Sequence, residues 1–325
     1  QGRPRGPAHD RPAVARRWRM TFLRRALIDY LAVRRRLGYR LARAEKLLAQ
    51  FLTYLQARGE AHVRTATALA WATLSRRGGP NWASYRLSVV RAFATHLRAL
   101  DPATEAPPPA LLPWRPCRAT PYLYSDEDVA AVLAAAGTLR TPHRVATYRT
   151  VIGLLAVTGM RVGEALALDC RDVDVTSGRV VIRRGKFGKA RELPLHASTV
   201  AALRTYLDRR DRPRAATPAL FVSLAGTRLR YDCVHLTFHQ LVRRAGLAAR
   251  SARCRPRPHD LRHSFAVRTL LDGYRGGGDP VRRLSLLSTY LGHVDPAHTY
   301  WYLSAAPELL ALAAARLERH LRRAP

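Results

Sequence analysis

Seven prolines fall between Asp101 and Pro121: Pro102, Pro107, Pro108, Pro109, Pro113, Pro116 and Pro121. Proline lacks a backbone N–H and fixes φ, so neither a helix nor a sheet strand runs through such a stretch. A chain of 325 residues cut in this way is long enough for two folded pieces joined by a stiff linker. The expected organisation is a flexible, Arg- and Pro-rich basic arm over residues 1–20, a first domain over 21–105, the linker over 106–121, and a second domain over 122–325.

Apolar residues recur at helical spacing from Phe22 to about Arg58. They are Leu23, Leu27, Tyr30 and Leu31, then Leu41, Leu47, Leu48, Phe51, Leu52 and Leu55, with Gly38 and Gly59 as punctuation. Further helical stretches run near Thr67 to Leu74 and from Trp82 to Leu100, parted by the breaker Arg76-Arg77-Gly78-Gly79-Pro80. An all-helical first domain follows. Arg34, Arg35, Arg36 and Arg40 line its polar faces, either as an ordinary solvated surface or, taken as a set, as phosphate contacts. Beyond the linker, Ser125 with an acid three residues later marks a helix start. Helical patterns cover Val145–Val157 and Gly163–Leu168. The period then changes to two: Arg179–Ile182 and Ala190–Leu195, about a turn at Gly185–Gly188, predict a β-hairpin. The remainder reads as mostly helical, so the fold class is mainly α with a small β-hairpin.

Lysine and arginine number 56 against 23 acids, a formal net charge of +33. Such an excess calls for a polyanion, nucleic acid first. A coding bias toward arginine raises the bases but does not account for the scarcity of acids. Cys117, Cys170, Cys233 and Cys254 are far apart, without the short spacing of a zinc knuckle, and read as small buried thiols in a reduced, cytosolic setting. No apolar leader and no run near ~18 apolar residues is present, so neither secretion nor a membrane span is expected. No metal box or cofactor motif stands out.

Several residues carry chemistry. Arg161 and Glu164, in Thr158-Gly159-Met160-Arg161-Val162-Gly163-Glu164, share a helix face. The guanidinium fork fits two phosphate oxygens and the carboxylate can steady it, although a surface pair has the same spacing. The chain holds only three lysines, Lys46, Lys186 and Lys189. Two survive at the hairpin turn, where an ammonium can give up a proton that a guanidinium keeps; chance survival at an exposed turn is the other reading. His259, Arg262 and His263 fall within one helical turn. His293 follows Leu291-Gly292, and Tyr302 lies nine residues further, in His298-Thr299-Tyr300-Trp301-Tyr302-Leu303. An aromatic stripe of this kind is either core packing or a placed nucleophile.

Taken in order, these motifs resemble the tyrosine recombinase family, also called phage-type integrases, over about Phe22 to Arg319. Thr158-Gly159-x-Arg161-x-x-Glu164 looks like the family's first arginine motif, and Gly185-Lys186-x-x-Lys189-x-Arg191 with Pro194-Leu195 like its lysine hairpin. His259-x-Leu261-Arg262-His263 and Leu291-Gly292-His293 look like the histidine and second-arginine boxes, and Tyr302 falls at the expected spacing. Phe187 departs from the family's usual small residue, and Tyr300 is a rival to Tyr302. The stretch Tyr300-Trp301-Tyr302-Leu303, followed by Pro307-Glu308-Leu309-Leu310, is similar to recombinases of transposon-like mobile elements. The resemblance implies a helical, SAM-like core-binding domain and a mixed α/β catalytic domain. It implies a site of Arg161, Lys186, His259, Arg262, His293 and Tyr302 that breaks and rejoins double-stranded DNA through a 3′-phosphotyrosyl link, with no metal and no cofactor. It further implies a homotetramer on DNA, exchange of a C-terminal helix over Pro307–Arg323 (Leu310, Ala313, Ala314, Leu317 and Leu321 on one stripe) unless that helix packs on its own domain, accessory or sister recombinases, and a place with the bacterial nucleoid in the cytoplasm. A non-cleaving DNA-binding protein and a type IB topoisomerase are the other readings.

Overall fold

The computed structural model describes residues 11–322 except 40, 76–77, 80, 116–118, 184, 186–189, 210, 215–216, 277–278, 294, 296, 298, 301 and 303–306, with backbone only at 11–19, 280, 316 and 319–321. The chain divides into two compact units, Gln1–Arg118 and Ala119–Pro325.

Among its described residues the first unit holds four helices: α1 (Arg11–Arg36), α2 (Ala42–Ala57), α3 (Thr65–Thr73) and α4 (Trp82–Leu97). Helix α1 starts at Arg11, within the stretch expected to be a flexible arm; Pro12 falls in its first turn, where the missing N–H costs no hydrogen bond. The apolar positions read as helix faces are buried, from Leu23 and Leu27 through Leu48, Phe51 and Leu55. Leu41 differs: it caps α2 with a left-handed φ of 46° and is only partly buried. Phe51 meets Trp71 edge-on at 5.2 Å, and Tyr30 meets Phe93 at 5.6 Å, so aromatic edges close this core. The proline-rich stretch has no helix or strand among its described residues, yet it is tied to this unit as far as Arg115. The Glu105 N–H donates to the Val63 carbonyl, and Arg91 donates to the carbonyls of Pro107 and Pro108 at 2.8 and 2.9 Å. Asn81 exchanges two bonds with the Arg115 backbone. An extended chain has no internal partners for its carbonyls, and side chains of the helical unit supply them.

The second unit contains α5 (Asp126–Ala136), α6 (Pro142–Thr158), α7 (Val162–Ala167), a 3-10 turn at Cys170–Asp172, β1 (Val173–Asp174), β2 (Arg179–Ile182), β3 (Arg191–Pro194), α8 (Ala197–Leu207), α9 (Tyr231–Arg244), α10 (Asp260–Arg275), α11 (Pro280–Leu291) and α12 (Pro307–Leu321). Ser125 caps α5 in a reciprocal box with Asp128, as its sequence indicates. The strands form an antiparallel sheet in the order β1-β2-β3, with Val180 opposite Leu193 and Ile182 opposite Arg191. Val180, Ile182 and Leu193 turn inward and are buried, which fixes the register. β1 pairs through Val173 and Val180; two residues are too short for alternation to announce it.

Two apolar clusters meet along α10. Leu261 joins the large core around Tyr148, Ile152, Leu155 and Phe238. Ala266, Val267 and Leu270 join a smaller one with Leu284, Leu287, Leu291, Tyr302 and Leu309. The first turn of α10 thus stands where the two clusters abut. Helix α12 packs through Leu309, and Arg275 on α10 pairs with its Glu308. Leu310 and Leu317, read as its apolar stripe, are exposed at 51% and 59%.

Candidate active site

Gly159 ends α6 in the left-handed region, φ 58°, and turns the chain toward α7. A Cβ there would come within 2.4 Å of the Phe265 ring, so both backbone and space require glycine. Arg161 follows as the N-cap of α7. Its N–H donates to one oxygen of Glu164 at 3.0 Å and its guanidinium to the other at 2.7 Å. Glu164 also takes a two-pronged bond from Arg191 on β3, at 3.1 and 2.7 Å. Burial opposes its charge, but the Arg191 hydrogen bonds, the Arg161 amide and the guanidinium charges outweigh burial and lower its pKa to about 2.

Arg262, 2% exposed, donates to the Gly159 carbonyl at 2.9 Å and to the Leu291 carbonyl at 2.7 Å. The end of α11 gathers the three arginines. Arg191 Nε donates to the Tyr290 carbonyl at 2.9 Å, Arg262 to Leu291, and Arg161 to Gly292 at 3.4 Å. A helix leaves its last carbonyls without intrahelical partners and carries partial negative charge there, which suits cations. Two of the three guanidinium groups, those of Arg161 and Arg191, pair with one carboxylate, Glu164, and the third, Arg262, is near enough to feel its charge. Burial, then the charge of Arg161, pushes the pKa of Arg262 down to about 10, so it stays charged at neutral pH.

His259 precedes α10 and His263 lies one turn on; their rings meet edge-on at 4.9 Å. The pKa of His259 is pushed down to about 4 by burial and by the charges of Arg262, Arg161 and Arg257. Its surface still reaches solvent, which softens the burial contribution and leaves three positive neighbours as the firmer cause of a neutral ring at pH 7. His293 follows the left-handed Gly292. Its Nδ1 is 2.7 Å from Thr299 Oγ1, and its ring lies parallel to Tyr302 at 6.2 Å. Tyr302 is 2% exposed, with its hydroxyl 3.3 Å from His263 Nδ1. It is close enough to Arg262 for a phenolate to raise that arginine's pKa. Tyr300 is 54% exposed.

Arg161, His259, Arg262, His293 and Tyr302 are thus gathered around the first turn of α10 and the end of α11. Lys186 lies outside the described residues. Sequence reasoning left Arg191 and His263 out of the site. Arg191 stands in the lysine-hairpin motif and His263 in the histidine box, so the motifs held both, but only the folded chain shows what they touch. The arrangement presents concentrated positive charge and N–H donors beside a phenol in contact with an imidazole, which suits an anionic ester and a nucleophilic hydroxyl. Among the described residues, no group of three or more His, Cys, Asp or Glu could hold a metal ion, and no helix is long and apolar enough to cross a membrane.

Residues 124–308 match the phage integrase family. The chain is 46% identical over 310 residues to the putative integrase/recombinase y4rB of Sinorhizobium fredii, covering 92% of this chain and 98% of that protein. It is 33% identical over 248 residues to the tyrosine recombinase XerD of Mycobacterium tuberculosis, covering 70% and 73%. Among solved structures, the Tn1549 transposon integrase in complex with transposon right end DNA has a TM-score of 0.61 at 16% identity, over 90% of this chain and 98% of that one. A lambda integrase tetramer bound to a Holliday junction has a TM-score of 0.58 at 18% identity, over 86% and 76%. At these identities the structural likeness speaks to the fold alone.

Proposed function

The chain belongs to the phage integrase family, the tyrosine site-specific recombinases, and from that premise we propose that it cuts and rejoins double-stranded DNA through a 3′-phosphotyrosyl bond to Tyr302. One observation carries this reading: two guanidinium groups pair with a single buried carboxylate, and a third, Arg262, lies where it feels both that charge and the Tyr302 phenol. Such a surplus of preorganised donors is costly to hold together without an anion to receive it. In this reading Arg161 and Arg262 grip the non-bridging oxygens of the scissile phosphate and stabilise the charge gained as Tyr302 attacks. Arg191 acts through Glu164, holding the carboxylate that holds Arg161. Lys186 supplies the proton to the departing 5′ oxygen, His259 assists proton transfer as a neutral ring, and His293 donates to a phosphate oxygen. The phosphodiester is exchanged for a phosphotyrosyl ester, so rejoining needs no external energy source.

The partners proposed are duplex DNA and further copies of this chain, with the tetramer on a Holliday junction and the transposon-end complex of the similar folds as supporting precedents. The proposed role is integration and excision of a mobile element, where bacterial DNA is accessible. Nicked suicide duplexes tiled across the DNA flanking the protein's own gene test this on denaturing gels. Wild type is expected to give a covalent adduct, Tyr302→Phe none, Tyr300→Phe a normal one, and EDTA little change. Binding without an adduct would point to a DNA-binding protein, and relaxation of a plasmid lacking paired sites to a topoisomerase.

A further inference from the structure

A phenol has an ordinary pKa near ~10, so attack at neutral pH requires a group to take its proton as the new bond forms. Tyr302 is 2% exposed and packed with Leu270, Leu284, Leu287 and Leu309, which leaves little room for bulk water to serve. His259, to which the family resemblance assigns proton transfer, is made a weaker base by burial and by the charges of three guanidinium groups. His263 is differently placed. It lies on α10 directly after Arg262, and its Nδ1 is 3.3 Å from the Tyr302 hydroxyl, with ring centroids 5.5 Å apart. Among the described residues, the charged and titratable groups around this pair include His259 and Arg262 from α10, and His293 from the segment after α11.

We propose that His263 is the general base of the reaction, accepting the Tyr302 proton at Nδ1 while its Nε2 carries the ring proton; this rests on Tyr302 being the nucleophile. The step balances as follows. The bond from Tyr302 Oη to phosphorus forms, the bond from phosphorus to the 5′ oxygen breaks, and the phenolic proton passes to Nδ1 to give an imidazolium. The 5′ oxygen leaves with a proton from the general acid, assigned above to Lys186. Rejoining runs the same transfers backward, and His263 returns its proton to the phenol. The negative phosphate held by Arg161 and Arg262 favours an imidazolium beside it, so the base is strongest when the substrate is in place.

The test compares two nicked suicide duplexes that differ only in the leaving atom: an ordinary 5′ oxygen, or a 5′-bridging sulfur that departs without an acid. His263→Ala is expected to slow adduct formation by about 100-fold or more with both, the usual size of a lost proton acceptor. Lys186→Ala is expected to be slow with oxygen only. His263→Asn keeps a hydrogen-bond acceptor of similar reach but cannot take the proton, and should stay slow. Added imidazole should restore part of the rate of His263→Ala, and the acid limb of the wild-type pH profile on the sulfur substrate should vanish in that variant. Full activity of His263→Asn would make the residue a positioning group and overturn the proposal. So would a rate for His263→Ala within about threefold of wild type on the sulfur substrate, well short of a general-base effect. If His263→Ala melts early, His263→Asn reads the same question. Absence of any wild-type adduct would sink the recombinase reading and this proposal with it, a result distinct from an inactive His263 variant beside an active wild type.

Discussion

Glu164 sits on a helix of six residues yet joins three elements, because it receives Arg161 from its own cap and Arg191 from β3, while both arginines reach on to the end of α11. Its carboxylate is 5% exposed and its pKa falls from 4.5 to about 2, a preference for the charged form of about 3 kcal/mol. The folded pKa is the lower one, so this stabilisation is whole above the unfolded value, 4.5, and is lost as pH falls toward 2. Glu164→Gln is therefore expected to cost about 3 kcal/mol at pH 7, a typical penalty for breaking a buried pair. It should also flatten the dependence of the urea midpoint on pH between 4.5 and 2; an unchanged midpoint at pH 7 would refute the hub. The sequence made the Arg161–Glu164 pair legible, since spacing alone puts both on one face. It could not show that Arg191, 27 positions further on, completes the pair, because a contact between a strand and a helix leaves no local periodicity. His263 was hidden for the same reason: its partner is a tyrosine 39 residues away.

At the scale of elements, helices were the legible part. Their apolar faces pack into cores, and the 3.6-residue period is the direct trace of that packing. The turn from period three-to-four to period two gave the hairpin at Arg179–Ile182 and Arg191–Pro194. What stayed hidden depends on other elements: β1, the bonds that hold the proline-rich stretch to the first unit, and the face of α12, where Leu309 rather than the Leu310–Leu317 stripe is buried. The end of α11 is the element the site leans on most, since three arginines share its last carbonyls. Gly292 makes that end possible with φ 67°, and a Cβ there would stand 3.0 Å from Arg191 Nη1. Gly246, after α9, has φ 72° with nothing within 4 Å of an added Cβ. Gly292→Ala and Gly246→Ala should each lose about 1–2 kcal/mol to the left-handed backbone. Only Gly292→Ala should also slow adduct formation, by displacing Arg191. Equal adduct rates in the two variants would mean that Arg191 tolerates the push, and that the carbonyl cluster does not set the site.

For the whole molecule, the charge is spread over both units. Residues 1–118 hold 23 bases against 6 acids, and residues 119–325 hold 33 against 17. Charge per residue is thus higher on the first unit, although the family match covers only the second, over 124–308. If the active site supplied all the contact with DNA, such a density on the helical unit would only weaken its fold through self-repulsion. Phosphate contacts by its arginines would explain it, and counterion release makes that measurable. Each phosphate neutralised adds about −0.9 to the slope of log K against log salt, and 6–10 contacts lose about 10³–10⁵ in affinity between 50 and 200 mM. The second unit has its own core around Tyr148, Ile152 and Phe238, so residues 119–325 are expected to fold alone, as a cooperative melt would verify. That piece should bind duplex DNA more weakly than the whole chain and with a clearly shallower salt slope, the difference counting the phosphates gripped by the helical unit. Equal slopes would show that the first unit's arginines meet no phosphate, and its positive charge would then need another polyanion to account for it.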